Sequence, residues 1–169
     1  DPMSSITGFN GSKYVAFVSA EAHYSVLMSA NVVGIGYQNL VKVACDSRGR
    51  MKPESLVEEI VRARTNGQTP FCIIATSGTT VRGAFDPLKE IANIAHDNNI
   101  WLHVDAAWGG SSLFSKRFRK LMDGVELADS VCWDAHKMMG MPLICSVFLT
   151  KSKDTLRAVC AHGDAAHYL

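Results

Sequence analysis

Residues 71–105 read FCIIATSGTTVRGAFDPLKEIANIAHDNNIWLHVD, and two changes of hydrophobic period within them decide the fold. Phe71-Cys72-Ile73-Ile74-Ala75 is a short apolar run of the length and composition of a buried strand. It breaks off into a polar cluster, Thr76-Ser77-Gly78-Thr79-Thr80. Asp86-Pro87 then reads as a helix start, a side-chain cap followed by a residue with preset φ. Leu88, Ile91, Ala92 and Ala95 recur at helical spacing. Ile100-Trp101-Leu102-His103-Val104 restores the strand signal and runs straight into Asp105. A strand, a helix and a second apolar strand make one unit of a parallel sheet covered on both faces.

The same alternation extends outward. Upstream, Tyr14-Val15-Ala16-Phe17-Val18 reads as a buried strand, and His23, Val26, Leu27, Ala30 and Val33 as a helix face. Gly34 and Gly36 interrupt it before a strand at Leu40-Val41-Lys42-Val43-Ala44, and Asp46–Arg50 forms a turn. Pro53 opens a helix whose apolar stripe is Leu56, Val57, Ile60 and Val61, and Asn66-Gly67 stops it. Downstream, Ser130-Val131-Cys132-Trp133 and Ser146-Val147-Phe148-Leu149 are two more short strands. No linker, repeat or low-complexity tract divides the chain. The expectation is α/β, one layered unit with a mainly parallel sheet and helices on both faces.

Composition narrows the function. The 169 residues are 47% hydrophobic and 20% charged, with 17 Lys+Arg against 16 Asp+Glu. That balance leaves no broad basic footprint for nucleic acid or an anionic membrane. No apolar run approaches the roughly 20 residues of a membrane span. Five dispersed cysteines without a CxxC pair, mostly inside apolar runs, point to buried reduced thiols in a cytoplasmic protein. Asn10-Gly11-Ser12 matches a glycosylation sequon but reads as chance. The start at Asp1-Pro2-Met3 and the stop at Leu169 suggest a piece of something longer.

Ligands of parallel sheets collect at the carboxyl ends of strands. Three polar clusters fall there: Thr76–Thr80, Asp105–Gly110 and Asp134-Ala135-His136-Lys137. Gly34-Ile35-Gly36-Tyr37-Gln38-Asn39 lacks the last glycine of a dinucleotide fingerprint and follows a helix, so it is set aside. His162 and His167 have neither helical-face spacing nor a third ligand, so no metal is expected. Asp105 reads either as a turn or cap residue after its strand or as a carboxylate holding a cationic ring nitrogen. Lys137, beside Met138-Met139-Gly140-Met141-Pro142, reads either as a snorkelling surface lysine or as a desolvated amine nucleophile. His23 reads as a satisfied, partly exposed histidine or as a ring-stacking one. Together, an imine-forming lysine, a carboxylate for a pyridinium nitrogen and a stacking imidazole are what a protein contributes to pyridoxal phosphate chemistry.

Three stretches then carry a resemblance in the right order: Thr76–Pro87 (TSGTTVRGAFDP), His103–Ser111 (HVDAAWGGS) and His136–Gly140 (HKMMG). They resemble the group II pyridoxal-phosphate-dependent amino-acid decarboxylases, with the match closest to the glutamate and cysteine-sulfinate decarboxylases. The resemblance runs from about Tyr14 to Leu169. It implies the large, cofactor-binding domain of a fold-type-I enzyme, with residues 1–169 its central part. The N-terminal segment, the phosphate and mobile catalytic loops and the small C-terminal domain are expected to lie outside this chain.

By the same resemblance, Lys137 is the Schiff-base lysine, Asp105 pairs with the pyridine nitrogen, and His23 stacks on one ring face with Ala107 on the other. Thr76 lies beside the ring's oxygen substituent and His136 near the phosphate. The implied reaction is α-decarboxylation of an acidic amino acid (glutamate, aspartate or cysteine sulfinate) through an external aldimine, in a homodimer. Trp108-Gly109-Gly110 points to the acidic-substrate members. The alternatives are a non-catalytic fragment or pseudoenzyme, and a decarboxylase or aldehyde synthase for diaminobutyrate or aromatic substrates. One departure stands out. Many relatives read Asn-Pro before the His-Lys pair, where this chain has Asp134-Ala135. A second anion near a phosphate is unfavourable unless it points away or is hydrogen-bonded.

Overall fold

The computed structural model describes Thr7 and residues 13–160. Its strands are β1 (Tyr14–Ser19), β2 (Leu40–Val43), β3 (Thr69–Thr76), β4 (Trp101–Asp105), β5 (Ser130–Asp134) and β6 (Ser146–Thr150). Its helices are α1 (Ser25–Val32), α2 (Pro53–Thr65), α3 (Leu88–Asn98) and α4 (Asp154–Cys160). The strands form one sheet in the order β2-β1-β3-β4-β5-β6. All neighbours are parallel except β5 and β6. The link from β5 to β6 contains no α-helix and falls short of the dozen or more residues a parallel crossover needs, so β6 returns antiparallel.

The strand order explains which helix covers which face. From β1 the chain steps to β2 on one side, then crosses back to β3 and moves on to β4 on the other. Because crossovers are right-handed, this reversal puts α1 on the opposite face from α2 and α3. Period-two alternation supplies each helix with its own apolar surface. Val15, Phe17, Ile73 and Ala75 pack with Leu56 and Ile60 of α2 and Leu88 and Ile91 of α3. Ala16, Val18, Cys72 and Ile74 pack with Val26, Leu27 and Ala30 of α1.

Several local expectations change. The buried stripe of α2 is Leu56, Ile60 and Ala63, while Val57 and Val61 are exposed. Positions 56, 60 and 63 follow the i, i+4, i+7 row that faces the sheet, and 57 and 61 lie one residue round the helix. α1 begins at Ser25, so His23 precedes it, and Val33 is exposed beyond its end. Asp86 does not cap α3; Pro87 occupies the cap position without a side-chain bond. The Asp86 carboxylate is instead buried and accepts from Met51 N–H (2.6 Å) and Thr76 N–H (2.7 Å), tying the end of β3 to the bridge at Met51. Cys45, Cys72, Cys132, Cys145 and Cys160 are free, but the first four are half-buried and Cys160 is exposed. Asn10–Ser12, His162, His167, Asp1–Met3 and Leu169 lie outside the described residues. No described helix is long and apolar enough to cross a membrane.

Candidate active site

The site is built by register. Thr76 of β3 is the Cα partner of Asp105 of β4, and Asp105 that of Cys132 of β5. Partners in adjacent strands share a face, and Asp134, two residues beyond Cys132, shares it as well. These side chains stand on the α1 face at the carboxyl ends of the strands. There the order reverses between β1 and β3, the position where open α/β sheets bind ligands. His23 arrives from the loop after β1.

A cavity of about 270 Å³ opens at this point, lined by His23, Ser25, Thr76, Gly78, Thr80, Asp105, Ala107, Trp108, Cys132, Asp134 and Lys137. Of the residues singled out from the sequence, His23, Thr76, Asp105, Ala107 and Lys137 meet here. His136 is not among the lining residues. Its Nδ1 faces the backbone of Cys145, 3.1 Å from the carbonyl and 3.2 Å from the N–H, toward the β6 side. Larger clefts exist, one of about 460 Å³ at the amino ends of β4 and β5. That cleft carries Lys151, His96 and Asp129, but Asp129 already accepts from Leu102 N–H and no unpartnered buried hydroxyl lines it.

Two glycines let the loops above the cavity interlock. Gly78 has φ +84°, and a Cβ there would stand 2.8 Å from Gly109 N. A Cβ on Gly109 would collide with the Ser77 carbonyl and with the Phe85 ring. Gly109 N–H donates to the Ser77 carbonyl at 3.0 Å, closing the Thr76 loop onto the Asp105 loop.

Asp105 is bonded as a turn residue and also faces the cavity. Oδ1 accepts from Ala107 N–H (3.1 Å), as a turn residue does, and from the Cys132 thiol (3.4 Å). Its side chain still lines the cavity. Burial, then the adjacent Asp105 carboxylate, push the Cys132 thiol up to about 12, so it is a neutral donor and not a nucleophile. His23 Nδ1 is 2.8 Å from Ser25 Oγ, and its ring lies 4.2 Å from that of Tyr24.

Lys137 is not sequestered in apolar surroundings: its side chain is 38% exposed, and Nζ pairs with Asp134 Oδ2 at 3.0 Å. The methionines after it are themselves exposed, which removes the expected desolvation. Asp134 turns into the cavity rather than away from it. Burial works to raise its carboxyl, but bonds with Ser146 and Lys137 and the Lys137 and His136 charges hold it below the usual range.

The site tests well for a pyridoxal ring. Thr76 Oγ1 is buried and has no hydrogen-bond partner among the described residues. A buried hydroxyl left unmatched beside a cavity costs free energy that a polar guest would recover. The donor set (amine, carboxylate, imidazole, hydroxyl) is that of an aldehyde-bearing pyridine. Ser25 and the pairing role of Asp134 escaped the sequence reading. The i, i+2 spacing of Cys132 and Asp134 was the available signal, but it assigns a face only once the register with Asp105 is known.

The family comparison assigns this fold to a class of pyridoxal-dependent proteins. The pyridoxal-dependent decarboxylase conserved domain matches residues 7–168, and the chain belongs to that family. It is 47% identical over 161 residues to the Homo sapiens acidic amino acid decarboxylase GADL1, covering 95% of this chain and 31% of that one. The crystal structure of mouse CSAD superposes with a TM-score of 0.84 at 46% identity, covering 85% of this chain and 31% of that one. A Rhodiola rosea 4-hydroxyphenylacetaldehyde synthase gives 0.85 at 32% identity, over 89% and 32%. The chain therefore spans about a third of the length of the relatives it matches.

Proposed function

We propose that this chain is the central part of the cofactor-binding domain of a pyridoxal-phosphate-dependent α-decarboxylase of acidic amino acids. The observation that carries the reading is the meeting of Lys137, Asp105, His23 and the unpartnered Thr76 hydroxyl in one cavity. Pyridoxal phosphate, when bound, supplies the sink for the electron pair left as carbon dioxide departs. The chain's residues do the rest. Lys137 would hold the cofactor through its amine. Asp105 holds a proton on the pyridine nitrogen, an anion beside the developing charge sink. His23 and Ala107 flank the ring, Thr76 bonds its oxygen substituent, and His136 serves the phosphate side through Nε2, which lies 4.0 Å from Asp134 Oδ2.

The acidic class rests on Trp108-Gly109-Gly110 and on the 47% identity to an acidic amino acid decarboxylase. A cytoplasmic homodimer, with phosphate-binding loop, mobile loop and small domain supplied from outside residues 1–169, completes the proposal. Carbon dioxide release by the full chain from glutamate, aspartate, cysteine sulfinate, diaminobutyrate and an aromatic amino acid tests it. Release from one or more of the acidic substrates is expected. Release only from the aromatic one, or aldehyde in place of amine as with the Rhodiola rosea synthase it resembles, overturns the acidic assignment. No turnover of any substrate supports the non-catalytic alternative.

A further inference from the structure

Asp134 and Lys137 are brought side by side by a tight turn in which Lys137 N–H donates to the Asp134 carbonyl at 3.1 Å. The carboxylate is well covered, at 16% exposed, and meets Nζ at 3.0 Å inside the cavity. It is held from the far side by Ser146 of β6 and lies 4.0 Å from His136 Nε2. The backbone and β6 thus aim this oxygen at the lysine. An amine that attacks a carbonyl carbon must present a lone pair. In this arrangement the nitrogen instead directs a proton at a carboxylate, in a charge-assisted bond stronger than a neutral one.

We propose that Asp134 is a positioning residue that holds Lys137 as an ion pair across the cavity and restrains its amine until a carbonyl-bearing guest displaces the carboxylate. The biological meaning rests on the proposed role of Lys137 as the cofactor lysine; the restraint itself does not.

The test is competitive labelling of the full chain, freed of aldehydes, with trace acetic anhydride, read by mass spectrometry as the Lys137:Lys153 ratio. Lys153 is exposed and serves as internal reference. Asp134→Asn is expected to raise the ratio by about three- to fivefold, the upper part of the range for a partly exposed ion pair. Asp134→Glu, which keeps the charge, is expected to stay within about twofold of wild type, on the same basis. An unchanged ratio in Asp134→Asn, or an equal rise in both variants, overturns the proposal. Should a variant fail to fold, the wild type still decides. Its native ratio is expected below that of the denatured chain, and equality overturns the restraint. Borohydride trapping of added pyridoxal phosphate reads the other claim separately. No trapped cofactor with the ratio still rising would leave the ion pair standing and remove the cofactor reading.

Discussion

Toward α2 and α3 the sheet presents Val15, Phe17, Ile73, Ala75, Leu102 and Val104, every one buried and apolar. Toward the other face β3, β4 and the neighbouring β5 present Thr76, Asp105, Cys132 and Asp134 around a cavity. The two sets differ by one residue of register. Strand alternation therefore sends stability to one side and chemistry to the other. The apolar face fixes the strands in register, and that register gathers groups from β3, β4 and β5 that lie far apart in sequence.

Substitutions on the two faces should then separate activity from stability. On the cavity face, Asp105→Asn is expected to lower decarboxylation by the full chain by about 10²–10³-fold, the scale for removing a positioned electrostatic group. The melting temperature should change little, and a large drop in it would show Asp105 to be structural. On the apolar face, Ile91→Ala is expected to cost about 2–5 kcal/mol in denaturant unfolding. The folded fraction should still capture cofactor; parallel loss of capture would show that the faces are not independent. Between the faces, Gly109→Ala forces a Cβ against the Ser77 carbonyl. Overpacking of this kind costs about 1–3 kcal/mol, and cofactor affinity should fall with it because the Thr76 loop must move.

The smallest effect is pH-dependent. Burial raises the Asp86 carboxyl from its ordinary 3.8 to about 6, against its bonds from Met51 and Thr76 N–H. Between those values the folded chain binds more protons at this site than the unfolded one. Its contribution is most favourable below 3.8 and is lost as pH rises toward 6. Asp86→Asn should lack that slope, so the wild-type-minus-variant difference in unfolding free energy should fall as pH rises across this window. A difference that does not vary with pH there contradicts the assignment.

Much of the fold was legible because apolar runs and helical spacing are local signals. The strand at Phe71–Ala75 and the helix from Leu88 to Ala95 follow from neighbours a few residues apart. Strand direction at β6 was not legible, because it depends on the length and shape of the link after Lys137. Nor was the use of Asp86. Asp-Pro before an apolar stripe carries the local signature of a cap, while the N–H groups that claim the carboxylate come from Met51 and Thr76. In the site, Lys137, Asp105 and Thr76 stood out as chemical types after strands. The Asp134–Lys137 pair did not, because sequence alone leaves open whether Asp134 points in or out.

The central claim is that Lys137 is the residue that captures the cofactor at the meeting of β3, β4 and β5. Borohydride reduction of the full chain loaded with pyridoxal phosphate, followed by peptide mass spectrometry, tests it most directly. The predicted result is a single reduced adduct on Lys137, absent in Lys137→Ala. An adduct on another lysine, or one that survives in Lys137→Ala, would contradict it.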